Sequence, residues 1–140
     1  MKISARNQLQ GVVSVIERGA INGSVTLALS EGLEIVANIT NDSIEALGLK
    51  TGTAALALIK ASFILLSPDT QVKISARNRL QGVISEIIQG AVNSEVKLEL
   101  AGGRLLTAII TKDSVNELGL TVGQPCVALI KASHIILAVE

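Results

Sequence analysis

The sequence is a tandem repeat. It aligns with itself without a gap when residue 2 is placed on residue 73, and about half of the paired positions are identical. The hexapeptide "KISARN" at residues 2–7 recurs at 73–78, and "ALIKAS" at 57–62 recurs at 128–133. A repeat of fixed spacing indicates two copies of one structural module, so any fold proposed for one copy must also suit the other.

We therefore predict a first domain at residues 1–67, a linker at 68–72 that contains Pro68, and a second domain at 73–140. Modules of this size bury a limited fraction of their surface. A disulfide cannot compensate, because Cys126 is the only cysteine. Since 49% of the residues are hydrophobic, we expect each module to bury apolar surface against the other module and against further chains in a homo-oligomer.

The same composition limits the location and the partners. The longest apolar stretch is interrupted by Lys60 and is too short to cross a bilayer. The repeat starts at residue 2, which leaves no room for a signal peptide, and a lone cysteine is compatible with a reducing compartment, so we expect a cytoplasmic protein. The formal net charge is zero, which predicts no long-range attraction to nucleic acid or to a membrane.

Hydrophobic patterning predicts a mainly β fold. Residues alternate between apolar and polar in "SVTLALS" and "EVKLELA", which is typical of half-buried strands. A turn at Glu31 and Gly32 leads to "LEIVANIT" as a hairpin partner, "QGVVSVIE" precedes this pair, and "AALALIKASFILL" is a last strand. A short helix is predicted in "TNDSIEALGL", between N-cap side chains and Gly48. Each module thus contains about five strands and one helix, which suits a small, partly closed OB-like β-barrel.

Enzyme motifs are not repeated between the modules. His134 is paired with Phe63, Cys126 is paired with Ala55, and of the acidic residues only Asp42 and Asp113 are shared as an aligned pair. The spacing of a zinc site is missing, and "GLKTGT" does not satisfy the phosphate-loop pattern. We therefore predict no catalytic residues and no side chains that bind a metal cation directly.

The modules instead share cations, hydroxyls and small residues. On a predicted strand, Ser4 and Arg6 leave the same face, and Lys60 and Ser62 have the same spacing. Thr40 adds a hydroxyl at the start of the short helix. Donors without carboxylates suit a deprotonated tetrahedral oxyanion.

A structural explanation of these residues stays open. Solvated strand ends, a helix cap and recent duplication would account for the same residues without a ligand. Against this, nearby positions have diverged, such as Gln8 to Arg79 and Thr26 to Lys97, whereas "KISARN" and "IKAS" have not.

The order of motifs resembles a known family. "SARN", "GAIN" or "GAVN", "IT" before a short helix, "LGL" and a closing "IKAS" are similar to the molybdate-binding Mop domain, and the tandem pair resembles the dimeric-Mop molbindins. The resemblance implies OB-like five-stranded barrels, homotrimers with six Mop domains, and molybdate or tungstate bound as the ligand with no cofactor. It implies interface sites formed by Ser4, Ala5, Arg6, Thr40, Lys60, Ala61 and Ser62 and by Ser75, Ala76, Arg77, Thr111, Lys131, Ala132 and Ser133. A second class of site would use Gly19, Ala20, Ile21 and Asn22 and the equivalent Gly90, Ala91, Val92 and Asn93.

The leading hypothesis is therefore non-catalytic binding of molybdate for intracellular storage, buffering or homeostasis. One alternative is a molybdate-sensing module that acts through a partner protein. Another is an OB-type nucleic-acid-binding protein, but such proteins need aromatic stacking platforms and Phe63 is the single aromatic residue. Because Phe63 and His134 follow "KAS" in the two copies, the two classes of interface pocket are expected to differ in shape or affinity.

Overall fold

The computed structural model describes residues 1–30 and 32–140, so Glu31 of the predicted turn lies outside the described residues. The chain divides into two compact units. Unit 1 contains Met1–Lys60 and Lys131–Glu140, and unit 2 contains Ala61–Ile130. Both points at which the chain passes from one unit to the other therefore fall within the repeated sequence "IKAS".

Each repeat forms five strands and one short helix, as predicted. The first repeat contains β1 (Asn7–Arg18), β2 (Asn22–Ala28), β3 (Glu34–Thr40), α1 (Asn41–Ala46), β4 (Ala54–Ile59) and β5 (Leu65–Ser67). The second contains β6 (Asn78–Gln89), β7 (Asn93–Leu100), β8 (Leu105–Thr111), α2 (Lys112–Leu118), β9 (Pro125–Ile130) and β10 (Ile135–Ala138). Short 3-10 turns lie at Ala61–Phe63, Ala101–Gly103 and Ala132–His134.

The last strands of the repeats are exchanged between the two sheets. Unit 1 has the strand order β10-β4-β1-β2-β3, and unit 2 has the order β5-β9-β6-β7-β8. Every neighbouring pair is antiparallel, with Ile135 opposite Ile59 in unit 1 and Leu65 opposite Leu129 in unit 2. Each compact unit therefore contains strands from both repeats. The domain bounds at 1–67 and 73–140 stay a prediction from the sequence.

Both sheets curl into half-barrels, which confirms the predicted mainly β, OB-like class. The long strand β1 pairs with β4 along its first half and with β2 along its second half. A register shift between Val13 and Val15 marks a bulge, which bends a strand and raises its twist. The edge strands β10 and β3 of unit 1 contact each other as a result. β6 has the equivalent shift between Ile84 and Glu86.

The core of each unit is formed by every second residue along the strands. In β2, Val25 and Leu27 are fully buried while their neighbours are partly exposed, and in β7 Val96 and Leu98 repeat this. The helices lie at the ends of β3 and β8 and contribute one buried residue each, Ile44 or Val115.

Two strand predictions were wrong in their extent. The residues of "KISARN" before Asn7 are not in a strand, because β1 begins at Asn7. The segment "AALALIKASFILL" is not one strand, because the chain leaves β4 at Ile59 and turns through Ala61–Phe63 before β5. Contrary to the prediction, Ser4 and Arg6 do not share one face of a strand, and neither do Lys60 and Ser62.

The contact of α1 with β2 and the equivalent contact of α2 with β7 differ at two residues whose sizes compensate each other. A Cβ atom added to Gly23 would lie 2.5 Å from Cδ1 of Ile44. In the second repeat, Ser94 occupies the equivalent position and is buried, and the smaller Val115 takes the place of isoleucine. The side chain at one position thus limits the size of the other.

We expect Gly23→Ala to lower the free energy of unfolding by about 1–3 kcal/mol, because the added methyl group overpacks the contact with Ile44. Ile44→Val alone should cost about 0.5–1.5 kcal/mol. The double variant should cost clearly less than the sum, since valine leaves space for the methyl group. Urea unfolding followed by circular dichroism measures all three. Simple additivity would contradict the steric explanation, and Ser94→Ala is the matched control without a new clash.

Cys126 lies in β9 and is fully buried. Burial raises the pKa of its thiol, and backbone hydrogen bonds at Ser67 and Val127 offset this only in part. The thiolate is the reactive form of cysteine, so both the raised pKa and the lack of access lower its reactivity.

Cys126 should therefore react with Ellman's reagent at pH 8 much more slowly in the folded protein than in urea. Release of the coloured thiolate over time measures this. Cys126→Ala, which copies Ala55 of the first repeat, should give no signal and should keep the fold. Equally fast reaction with and without urea would show that β9 is open to solvent.

Candidate anion-binding site

Strand register aligns the repeated motifs at one end of the unit 1 sheet. Asn7 in β1 lies opposite Ile59 in β4, and Ile59 lies opposite Ile135 in β10. One residue beyond this row are Arg6, Lys60 and His134. The row therefore brings "SARN" and "IK" of the first repeat next to the end of the "KASH" segment of the second repeat.

In each unit a buried asparagine holds the ends of two neighbouring strands together. The side-chain Nδ2 of Asn7 donates to the carbonyl oxygen of Ile59 over 3.2 Å, and Asn78 does the same to Ile130 in unit 2. Both side chains are at most 3% exposed, and a buried polar group needs such a partner. Neither residue was among the predicted site residues, although the asparagine of "SARN" is repeated and could have been found by that signal.

The arm that precedes β1 is held along the strand. The Nε2 of Gln8 donates to the carbonyl oxygens of Ile3 and Ala5 over 3.3 and 3.2 Å. Ser4 and Arg6 are exposed, and Ala5 is half-buried. The arm thus presents a hydroxyl and a guanidinium to the surface.

In unit 1 the "KAS" turn is supplied by the second repeat. The turn Ala132–His134 contacts β3, which ends at Thr40. Ala132 is buried, whereas Lys131 and Ser133 are exposed. The structure therefore combines Ser4, Ala5 and Arg6 of one repeat with Lys131, Ala132 and Ser133 of the other within one unit.

Unit 2 repeats the arrangement with the origins reversed. The turn Ala61–Phe63 comes from the first repeat and contacts β8, which ends at Thr111. Ala61 is buried and Ser62 is exposed. Ser75, Ala76 and Arg77 of the second repeat precede β6 in the same unit and have the same exposure as their counterparts.

The two threonines have a structural role in their helices. The Oγ1 of Thr40 accepts from the backbone N–H of Ser43 over 3.1 Å and lies 2.9 Å from its hydroxyl. Thr111 makes the same N-cap contacts with Ser114. Their hydroxyls are exposed, and any ligand would share them with the cap.

The "GAIN" segment forms a tight turn between β1 and β2. The N–H of Gly19 donates to the carbonyl oxygen of Asn22 over 2.8 Å, and a Cβ atom at Gly19 would lie 2.9 Å from that oxygen. Asn41 binds the other side of the turn, through its N–H to Ile21 and its Nδ2 to Gly19.

The tip of this turn is exposed. Within the part of the chain that the structure describes, the amides of Ala20 and Ile21 form no hydrogen bond. The second repeat has the same Gly90 to Asn93 bond over 2.9 Å, with Ala91 and Val92 exposed at its tip. Each turn thus offers amide donors to solvent.

Most of the candidate residues are exposed at the surface. Two surface cavities have other linings: one is lined by Gln10, Ala54, Ala55, Leu56, Ala138 and Glu140, and the other by Gln81, Gly82, Val83, Glu99, Leu100, Ala101 and Pro125. Residues 1–30 and 32–140 contain no cluster of three His, Cys, Asp or Glu residues able to hold a metal ion. No described helix is long and apolar enough to cross a membrane. The surface is rich in hydrogen-bond donors and would bind an anion only weakly unless something covers it.

The comparisons identify a family and several relatives. The family profile described as "TOBE domain" matches residues 3–66 and 74–137, which is most of the chain. The solved structure of the cytoplasmic molybdate-binding protein ModG, with molybdate bound, is 44% identical and superposes with a TM-score of 0.96 over 100% of both chains.

Curated proteins are similar over nearly the whole chain. The molybdenum-pterin-binding protein MopA of Rhodobacter capsulatus is 44% identical over 99% of this chain and 52% of its own length. The molybdenum transport protein ModE of Herbaspirillum seropedicae is 42% identical over 100% of this chain and 52% of its own. The DNA-binding transcriptional dual regulator ModE of Escherichia coli is 34% identical over 99% and 52%. The chain spans about half the length of these curated relatives.

Proposed function

The chain belongs to the TOBE-domain family, and from that premise we propose that it binds molybdate, or tungstate of similar size and charge, in the cytoplasm without catalysing a reaction. The observation that carries the proposal is the full-length match to a molybdate-bound structure. Storage, buffering or homeostasis of the anion is the role that follows. The similarity to tandem Mop-domain proteins, noted from the motifs, agrees with this match.

The chemistry of the candidate surface supports an oxyanion ligand. Arg6 and Lys60 directly adjoin the paired residues Asn7 and Ile59 at the end of the unit 1 sheet, with Ser4 and Ser133 in the flanking arm and turn. These segments carry no carboxylate, so they offer donors only. Molybdate accepts at each of its four oxygens and has no proton to donate near neutral pH, which matches this set. A pocket of fixed size would then reject the smaller sulfate.

We propose that the pockets are closed by other copies of the chain in a homotrimer with six Mop domains. Apolar residues are exposed at equivalent positions of both repeats, which is unusual unless a partner covers them. Ile21 and Val92 are 75% and 72% exposed at the turn tips, and Leu65 and Ile136 are 55% and 64% exposed on the exchanged strands. The equivalent residues Ile3 and Ile74 are also exposed, as are Val12 and Val83. Equivalent patches on both repeats suit a quasi-symmetric assembly.

Within this assembly we assign the interface sites to the fourteen residues predicted from the sequence. The turns at 19–22 and 90–93 would form the second class of site through their exposed amides. A molybdate-sensing role through a partner protein is a second candidate, because the chain aligns with about half of a DNA-binding regulator.

Native mass spectrometry of the purified protein tests the ligand and the oligomer together. We expect a trimer, and we expect discrete mass increments of molybdate when the anion is added. Sulfate at the same concentration should give no increments, because it is smaller than the pocket. A monomer would refute the assembly, and equal retention of sulfate would refute the molybdate assignment.

We expect the double variant Arg6→Ala with Arg77→Ala to weaken molybdate binding at the interface sites by about 10- to 100-fold, since each loses a charge-assisted hydrogen bond. Isothermal titration calorimetry measures the loss. Both arginines are exposed, so the fold should be kept. Arg79→Ala is the matched control, because Arg79 is exposed near Arg77 and its Nη2 donates to the carbonyl oxygen of Thr70 over 3.4 Å. Normal binding by the double variant, or an equal loss in the control, would contradict the assignment.

A further inference from the structure

Both units contain a "SAR" segment and an "AS" turn of the predicted interface sites, but they differ in the residue that follows "KAS". It is His134 in the turn of unit 1 and Phe63 in the turn of unit 2. An imidazole offers at least one N–H donor, whereas a phenyl ring offers none. The difference therefore changes the hydrogen-bonding capacity of one unit and not of the other.

Strand exchange decides which unit receives the histidine. Ile135, which follows His134, pairs with Ile59, and Ile59 pairs with Asn7. If this register continues by one residue, His134 and Arg6 lie on either side of Lys60. Neighbouring strands are about 4.8 Å apart, so the outer two positions are separated by about 10 Å. Side chains as long as arginine and histidine can reach one tetrahedral anion across that span.

The backbone at His134 is fixed, and the residue is partly exposed. Its N–H donates to the carbonyl oxygen of Lys131 over 2.9 Å, which closes the turn. The residue is half-buried and lies directly before β10, which pairs with β4 along its whole length. A backbone held in this way loses little conformational freedom when a ligand binds.

Unit 2 has the same framework without the donor. Phe63 ends the turn Ala61–Phe63, is 42% exposed and lies just before β5, which pairs with β9. Asn78 and Ile130 form the row that Asn7 and Ile59 form in unit 1. Phe63 and His134 therefore occupy equivalent positions in the two units.

We infer that His134 donates a hydrogen bond to the oxyanion bound at unit 1 and so makes the unit 1 sites bind molybdate about tenfold more tightly than the unit 2 sites. This inference rests on the proposed function. It assigns a determinant of affinity to a residue outside the predicted site. The chain then buffers the anion over a wider concentration range than identical sites would.

Isothermal titration calorimetry with sodium molybdate tests the inference in the full-length chain. The unaltered protein should show two classes of interface site. His134→Phe should weaken the tighter class about tenfold and merge it with the other, whereas His134→Gln, which keeps an N–H donor, should retain both classes. Phe63→His should strengthen the weaker class. The double exchange Phe63→His with His134→Phe should restore two classes, because the donor has moved from one unit to the other.

The outcomes distinguish a failure of the inference about His134 from a failure of the proposed function. If His134→Phe binds molybdate as the unaltered protein does, the inference is overturned while the proposed function stands. If the unaltered protein does not bind molybdate at all, the proposed function fails and the inference fails with it. Circular dichroism of each variant confirms that a lost class reflects the ligand contact and not unfolding, and Phe63→His gives an independent gain-of-affinity readout.

Discussion

Each sheet is complete only because an edge position is filled by the other repeat. β10 of the second repeat pairs with β4 of the first, and β5 of the first pairs with β9 of the second. An unfilled edge would leave a row of backbone donors and acceptors exposed on β4 or β9. In unit 1 the exchanged strand also contacts β3 at the opposite edge, so it contributes to curling the sheet as well as to its hydrogen bonding. The fold of one repeat therefore depends on the presence of the other.

The exchange also determines the composition of the candidate site. The chain changes units within "IKAS" in both repeats, so the turn that follows Lys60 belongs to unit 2 and the turn that follows Ile130 belongs to unit 1. As a result "SARN" of one repeat shares a unit with "AS" of the other. Because both motifs are identical, the two candidate sites share these residues, and Phe63 and His134 differ directly after them.

Much of the fold could be predicted because its signals are local. Period two in β2 and β7, the N-caps at Thr40 and Thr111, and the left-handed glycine at Gly48 depend on residues close in sequence. The break after Ile59 was missed because "AALALIKASFILL" is apolar except for Lys60 and Ser62 and contains neither proline nor glycine. The start of β1 was missed because "KISARN" alternates like a strand, although its residues before Asn7 have no partner strand.

The strand exchange could not be predicted, because β5 and β10 are equivalent in sequence. Ile64 and Leu66 of one repeat correspond to Ile135 and Leu137 of the other, and all four are buried. Either strand could pair with β4 or with β9, so only the tertiary structure distinguishes the two pairings.

The exchange has a consequence for synthesis on the ribosome. Unit 2 is an insertion between Lys60 and Lys131, so all of its residues are synthesised before Lys131–Glu140, which complete unit 1. Domains usually finish folding from the N-terminus. Here the sheet that begins first is finished last, when β10 emerges.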